Sequence, residues 1–101
     1  MPQIVDNERK SRFETTVDGH VAELTYRRRG TRLVLIHTGV PDELEGQGIG
    51  SALVAAAVAD ARGRDLRLVV QCPFAAEWLR RHPDAVDGLE IEWDERSDDG
   101  A

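Results

Sequence analysis

Cysteine is nearly absent from the sequence, because Cys72 is the single one among 101 residues. One thiol excludes an internal disulfide and a zinc site built from several cysteines. The three histidines are scattered and none is spaced i, i+4 from another, so we predict no metal site. No apolar run approaches the ~20 residues that a membrane span needs. The N-terminus carries acids and lacks the apolar stretch of a signal peptide. We therefore predict a cytoplasmic protein with no membrane partner.

Basic residues are fewer than acidic ones, 13 against 19, and the net charge is -6. Proteins that bind nucleic acid show the opposite balance, so we expect no nucleic-acid partner. The basic cluster of residues 27–29 with Arg32 falls at the tip of a predicted hairpin, where a solvated turn is the favoured interpretation. The chain length indicates one domain, and we expect a monomer or a weak homodimer.

The first half of the chain predicts strands. Apolar residues alternate over residues 11–17 and 20–28, and a third strand is predicted over residues 32–38. Asp18-Gly19 and Gly30-Thr31 provide turns, so these strands form an antiparallel meander. The third strand carries an apolar run without a polar face, which indicates a central strand covered on both sides.

The second half alternates helices and strands. A helix is predicted over residues 48–62 with Gly63 as its stop, and a parallel strand over residues 66–71 follows it. A second helix begins at Pro73 and ends before Pro83. Phe74 and Trp78 are interpreted as core residues of that helix.

The two ends of the chain are polar. Residues 1–10 are predicted to be a flexible N-terminus, residues 11–93 a single domain, and residues 94–101 a disordered acidic tail. Residues 89–93 alternate between apolar and polar, and they form either a short edge strand or a lightly docked tail.

Three glycines at alternate positions, Gly46, Gly48 and Gly50, connect the third strand to the first helix. The first turn of a helix has N–H groups without internal partners and a positive dipole end. Glycines let an anion approach those groups closely, so the loop predicts a phosphate site. It is neither a nucleotide P-loop, since no lysine follows Gly50, nor a dinucleotide fingerprint, whose glycine spacing differs.

The loop resembles the acyl-CoA loop of the GNAT superfamily of N-acetyltransferases, whose pattern is Gln/Arg-x-x-Gly-x-Gly/Ala. Gly48 and Gly50 match its glycines, whereas Glu45 stands where Gln or Arg is usual. The segments HTGVPDELEGQGIGSALV and VVQCPFAAEWLRRHPD resemble the short YjdJ-type subfamily over about residues 12–84. The resemblance implies an α/β (α+β) fold: an antiparallel meander, a βαβ unit with the glycine loop, and a short C-terminal helix.

The resemblance also implies acetyl-CoA or coenzyme A as cofactor and an amine as acceptor. We expect Glu45 to point away from the cofactor phosphates, because its carboxylate would repel them. The residues predicted to bind the cofactor are Val40, Gly46, Gln47, Gly48, Ile49, Gly50 and Ser51, the last of them also as a helix cap.

Two residues are candidates for catalysis. Cys72 lies at the end of the fourth strand and beside the second helix, whose dipole would lower the thiol pKa. It either accepts the acetyl group and passes it on, or it is a small buried residue. His37 either deprotonates the acceptor or Cys72, or it is a histidine bonded within the sheet.

The sequence therefore predicts a small acetyl-CoA-dependent N-acetyltransferase that acts on an unidentified amine, directly or through Cys72. The alternative is a regulatory module that binds coenzyme A or acetyl-CoA without turnover. A third possibility is an adaptor protein in which the glycine loop is purely structural.

Overall fold

Residues 3–95 are described by the computed structural model, and within them six strands form one sheet in chain order. The strands are β1 Val5–Asn7, β2 Arg12–Val17, β3 His20–Arg29, β4 Arg32–Gly39, β5 Arg67–Val70 and β6 Ile91–Trp93. The helices are α1 Ile49–Arg64 and α2 Pro73–Arg81, and short 3-10 turns cover Asp42–Leu44 and Pro83–Val86.

The predicted α/β architecture is confirmed. The first four strands pair antiparallel, and β5 and β6 are added parallel to β4 and to each other. The alternating segment at the C-terminus is an edge strand, because Ile91 to Trp93 pair with β5. Since each parallel pair needs a crossover, α1 and α2 are the connections that the topology requires.

The helices cover one face of the sheet, so the prediction that β4 is covered on both sides is wrong. Both helices contact β4 and β5, and α1 also contacts α2. Leu33 and Leu35 are buried under them, whereas Val34 is half-buried on the other face. That second face, which we call the open face, has no helix over it in residues 3–95. It carries Arg12 and Glu23.

The N-terminal segment, predicted to be flexible, contributes a strand. Val5–Asn7 pairs with β2, and the Asp6 carboxylate accepts hydrogen bonds from Tyr26 Oη at 2.5 Å and from Arg28 Nη2 at 2.6 Å. This polar segment is therefore part of the fold, because the Asp6 carboxylate has hydrogen-bond partners on β3. Residues 1 and 2 lie outside the described residues.

The predicted acidic tail falls mostly outside the described residues, since residues 96–101 are not among them. Asp94 and Glu95 are described and follow directly on β6. The Asp94 N–H donates to the Val70 carbonyl at 2.9 Å, and Glu95 pairs with Arg80.

The end of α1 differs from the prediction. Gly63 lies inside the helix, and Asp65 ends it in the left-handed conformation with φ 59°. The Asp65 and Leu66 N–H groups donate to carbonyls of the last turn. Arg62 and Arg64 lie at the negative end of the helix dipole.

No helix within residues 3–95 has both the length and the apolar character needed to cross a membrane.

Candidate functional site

A cavity of about 420 Å³, which we call the loop cavity, opens at the N-terminus of α1. The end of β4, the glycine loop, the first turn of α1 and one residue of α2 enclose it. Its lining consists of Thr38, Val40, Leu44, Glu45, Gly46, Gly48, Ile49, Gly50, Ser51 and Phe74. The predicted cofactor residues are therefore brought together, except for Gln47, whose Nε2 donates to the Glu43 carbonyl at 3.5 Å.

The glycine loop presents backbone to this cavity. Gly46 has φ 84° and Gly48 has φ 76°, values that favour glycine. Within residues 3–95, and apart from the chain neighbours of each glycine, no heavy atom lies within 4 Å of the position that a Cβ would take at either residue, so the loop forms an open cradle. The cradle has room for an anion at the backbone.

Gly48, and not Ser51, is the N-cap of α1. Among the residues that the structure describes, no side chain caps this helix, and the first intrahelical bond runs from the Ala52 N–H to the Gly48 carbonyl at 3.0 Å. The N–H groups that precede Ala52 in the first turn have no partner within the helix. These N–H groups lie at the N-terminal end of the helix, where the dipole favours an anion.

Carboxylates, and not basic side chains, surround the loop. Glu45 is one of the residues that line the cavity, and Asp42 and Glu43 lie in the 3-10 turn just before it. The expectation that the Glu45 side chain points away from the phosphates stays a prediction. The cavity lining includes neither lysine nor arginine. The attraction for an anion must therefore come from backbone N–H groups.

The end of β4 has a free edge on the side of β5. Pairing with β5 ends at Leu35, whereas pairing with β3 continues to Gly39. The N–H groups of Gln71 and Cys72 both donate to the Leu35 carbonyl, at 2.9 and 3.1 Å, and the chain then turns into α2. Within residues 3–95, residues 36–39 therefore have no strand neighbour on this side. The register shifts opposite Thr25 and Tyr26, which bends β4 at the same level.

Cys72 lies behind the wall of the loop cavity. It is the N-cap residue of α2, its side chain does not cap the helix, and it is 2% exposed. Its Sγ lies 3.2 Å from Oγ1 of Thr38, which does line the cavity. The Thr38 side chain thus lies between the Cys72 thiol and the loop cavity.

His37 lies on the open face, away from Cys72. It pairs with Thr25, whose Oγ1 donates to the His37 carbonyl at 3.2 Å. A Cβ placed on Gly39 would lie 3.6 Å from His37 Nε2 and 3.8 Å from Glu23 Oε2, so these two side chains approach each other over Gly39. His37 and Cys72 are therefore on opposite sides of the sheet.

Glu23 connects His37 to charged neighbours on the open face. Arg12 Nη1 contacts Glu23 Oε1 at 2.5 Å, and Arg12 Nε contacts Glu14 Oε1 at 2.5 Å. The hydrogen bond from Arg12 lowers the pKa of Glu14 below its ordinary value. A row of charges thus crosses β2 and β3 and ends beside the last residues of β4, at the edge that pairs with β3.

Sequence reasoning missed two residues of the site. Thr38 was not singled out, although it alternates with His37 and so must face the helices. Phe74 was interpreted as a core residue, but it is 44% exposed and lines the loop cavity. Trp78 is half-buried and packs against the core.

A larger groove of about 750 Å³ lies on the other side of the glycine loop. Residues from the β1 and β2 edge line it, together with Gln47 and Ile49. We take the smaller loop cavity as the candidate site, because it combines the cradle of N–H groups with the free edge of β4. No group of three or more His, Cys, Asp or Glu side chains within the described chain is arranged to hold a metal ion.

Comparison with known proteins identifies relatives. Residues 12–88 match the family model described as GCN5-related N-acetyl-transferase. The fold matches the solution NMR structure of a GCN5-like protein from Staphylococcus aureus with a TM-score of 0.68 and 30% sequence identity. That match covers 95% of this chain and 91% of the other. Membership of the short YjdJ-type subfamily stays a prediction.

Proposed function

The chain belongs to the GCN5-related N-acetyltransferase family, and on this premise we propose that it transfers an acetyl group from acetyl-CoA to an amine. The observation that carries the proposal is the loop cavity, where an open cradle of backbone N–H groups lies beside the free edge of β4. A diphosphate fits such a cradle without a basic side chain.

The residues of the cavity fit the cofactor in two places. The N–H groups from Gly46 to Ser51 would bind the diphosphate. The free edge of β4 at residues 36–39, with Val40 beyond it, would form hydrogen bonds with the amide groups of the pantetheine arm, because an unpaired strand edge offers both donors and acceptors. Bound acetyl-CoA supplies an acetyl thioester, which is an activated acyl donor.

The acceptor would approach from the open face. His37 is exposed there, next to the gap between β4 and β5. Its neutral imidazole would take a proton from the acceptor ammonium, which frees the nitrogen lone pair for attack. Glu23 forms an ion pair with Arg12. The Glu23 carboxylate would contribute negative charge near His37 and so favour a cationic acceptor.

Two routes for the acetyl group are open. In the direct route, the amine nitrogen attacks the acetyl carbon and the cofactor thiolate leaves. In the other, the Cys72 sulfur attacks the acetyl carbon and coenzyme A leaves as its thiol with the proton that Cys72 loses; the amine nitrogen then attacks the acetyl carbon of acetyl-Cys72, and the Cys72 sulfur leaves and takes up the proton that the amine loses. The contact of Cys72 with Thr38 brings the thiol near the cavity, whereas its burial opposes easy access.

The test is acetyl-CoA turnover with a panel of primary amines, and the quantity measured is the release of free coenzyme A thiol. We expect amine-dependent thiol release from the wild-type chain. Saturable acetyl-CoA binding without turnover on any amine would favour the regulatory module instead. Absence of binding would contradict both functions.

Intact-mass measurement after incubation with acetyl-CoA separates the two routes. An acetyl adduct that is absent in Cys72→Ala supports the route through the thiol. A wild-type chain without adduct, together with Cys72→Ala that turns over at the wild-type rate, would establish direct transfer.

A further inference from the structure

Phe74 is a large apolar residue that the fold exposes towards the loop cavity. The described chain exposes few such residues: Val5, Val21, Phe74 and Trp93. Among them, Phe74 lines the loop cavity, and 44% of its surface is accessible. Burial of an aromatic ring is favourable, so an exposed one at the wall of a cavity offers apolar surface to a ligand.

The Phe74 ring packs directly against Gly50. A Cβ at position 50 would lie 2.7 Å from Phe74 Cζ and 3.0 Å from Cε1, which is closer than side-chain atoms approach one another. Gly50 lies within α1 and is buried, so helical backbone does not require a glycine here. The missing side chain serves the close contact with the ring, which thereby has a defined position between the two helices.

The ring lies in the path that the cofactor would follow. A ligand with its diphosphate at the first turn of α1 and its arm along β4 would occupy the loop cavity, whose lining includes Thr38, Val40 and Phe74. We propose that Phe74 is a binding residue for the pantetheine arm and packs on its apolar groups while β4 bonds its amides. This inference rests on the proposed function.

The site would then distinguish an acyl-CoA from a nucleotide that has the same diphosphate but no arm. Backbone N–H groups bind any diphosphate, because they recognise only its negative charge and its oxygen acceptors. Apolar packing against Phe74 adds affinity only for ligands that carry the arm. Phe74 is thus a specificity-determining residue of the donor site.

Calorimetric titration of variants with acetyl-CoA tests the proposal. We expect Phe74→Ala to weaken acetyl-CoA binding about tenfold, which corresponds to about 1.4 kcal/mol, and Phe74→Leu to weaken it less. Trp93→Ala is the matched control, because Trp93 is also 44% exposed but does not line the loop cavity. It should bind acetyl-CoA as the wild type does.

Adenosine 3′-phosphate 5′-diphosphate, which has the diphosphate of acetyl-CoA but lacks the arm, serves as the second probe by displacement of acetyl-CoA. Its affinity should be the same in the wild type and in Phe74→Ala. An equal loss for both ligands would overturn the proposal, since the ring would then act on the nucleotide end or on the fold.

Gly50→Ala provides an independent test through a double-mutant cycle. The added Cβ must displace the ring, so we expect Gly50→Ala to weaken acetyl-CoA binding in the presence of Phe74. The same change should have little effect in the Phe74→Ala background, because no ring is left to displace. If the effects of Gly50→Ala and Phe74→Ala on acetyl-CoA affinity were additive, they would contradict a role for the contact between Phe74 and Gly50 in binding.

Thermal melting of each variant without ligand confirms that it is folded, and Phe74→Leu remains informative if the alanine variant is not. A wild-type chain that fails to bind acetyl-CoA would contradict the proposed function itself. A wild-type chain that binds, with Phe74→Ala of equal affinity, would contradict the inference about Phe74 only.

Discussion

Glu45 is the residue at which the site departs most clearly from the pattern of the family loop. It is one of the residues that line the loop cavity, and the pattern of the related loops has Gln or Arg at this position. A negative charge at this place would repel the diphosphate that we propose the N–H groups bind. The proposed donor site would therefore combine a favourable backbone with an unfavourable side chain.

We predict that Glu45→Gln tightens acetyl-CoA binding about fivefold at low salt, since removing one repulsive pair near the surface contributes about 1 kcal/mol. The gain should shrink as ionic strength rises, because salt screens exposed charges. Calorimetry at two salt concentrations measures both effects. Glu92→Gln, an exposed carboxylate on β6, serves as the control.

A Glu45→Gln variant with unchanged affinity at low salt would show that the anion does not bind beside the glycine loop.

The limits of sequence-based prediction at the residue scale are clear from Thr38 and Phe74. The alternation in β4 was sufficient to place Thr38 under the helices, but its bond to Cys72 depends on where β5 turns into α2. Phe74 has the spacing of a core residue. Only the tertiary contact with Gly50 explains its place at the cavity wall.

At the scale of elements, the glycines of α1 have different roles. Gly48 is the N-cap in the left-handed conformation, whereas Gly63 lies inside the helix with open space around its Cβ position. A side chain at a left-handed position is strained, and a glycine inside a helix is unfavourable relative to alanine. The two positions should therefore respond to alanine in opposite directions.

We predict that Gly48→Ala lowers the free energy of unfolding by about 1–2 kcal/mol, and that Gly63→Ala raises it by about 1 kcal/mol. Urea unfolding of both variants at one pH provides the measurement. Two changes of the same sign would contradict the assigned conformation of one of these glycines.

The helix ends illustrate why element boundaries were harder to predict than the elements. Apolar periodicity predicts α1 correctly, whereas the predicted stop, Gly63, lies inside the helix. Asp65 ends the helix instead, because an aspartate tolerates the left-handed conformation and no pattern in the sequence distinguishes the two candidates. Strand β1 escapes sequence-based prediction for a related reason, since two of its three residues are polar and gain their partners from β2, β3 and α1.

Those partners form a charged network that joins three parts of the molecule. Arg28 on β3 contacts Asp6 on β1 at 2.6 Å and Asp60 on α1 at 3.0 Å. Tyr26 donates its hydroxyl hydrogen to Asp6 and lies under the Arg28 guanidinium, which is 4.6 Å from the ring centre. The network lies at the opposite end of α1 from the glycine loop, so we assign it to stability.

This network predicts how the stability of the whole molecule depends on pH. Burial and the hydrogen bond to Asp6 raise the pKa of Tyr26 from 10.0 to about 12. Because the folded state favours the neutral phenol, the contribution is fully present below pH 10 and is lost as the pH rises towards about 12. The loss should amount to about 3 kcal/mol, and it should disappear in Tyr26→Phe.

Tyr26 is the one tyrosine of the sequence, so phenolate absorbance follows its titration directly. Urea unfolding at several alkaline pH values measures the accompanying change in stability. A titration midpoint near the ordinary value of 10.0 would contradict the burial of the phenol and its bond to Asp6.

The central claim concerns backbone N–H groups at the start of α1 that bind the diphosphate of acetyl-CoA. Two-dimensional amide NMR during titration with acetyl-CoA tests it most directly, because each of these N–H groups has its own signal. We predict the largest shifts at Gly46, Gly48, Gly50 and Ser51, with further shifts at residues 36–40. Shifts confined to the groove beside β2, or no shifts at saturating acetyl-CoA, would contradict the claim.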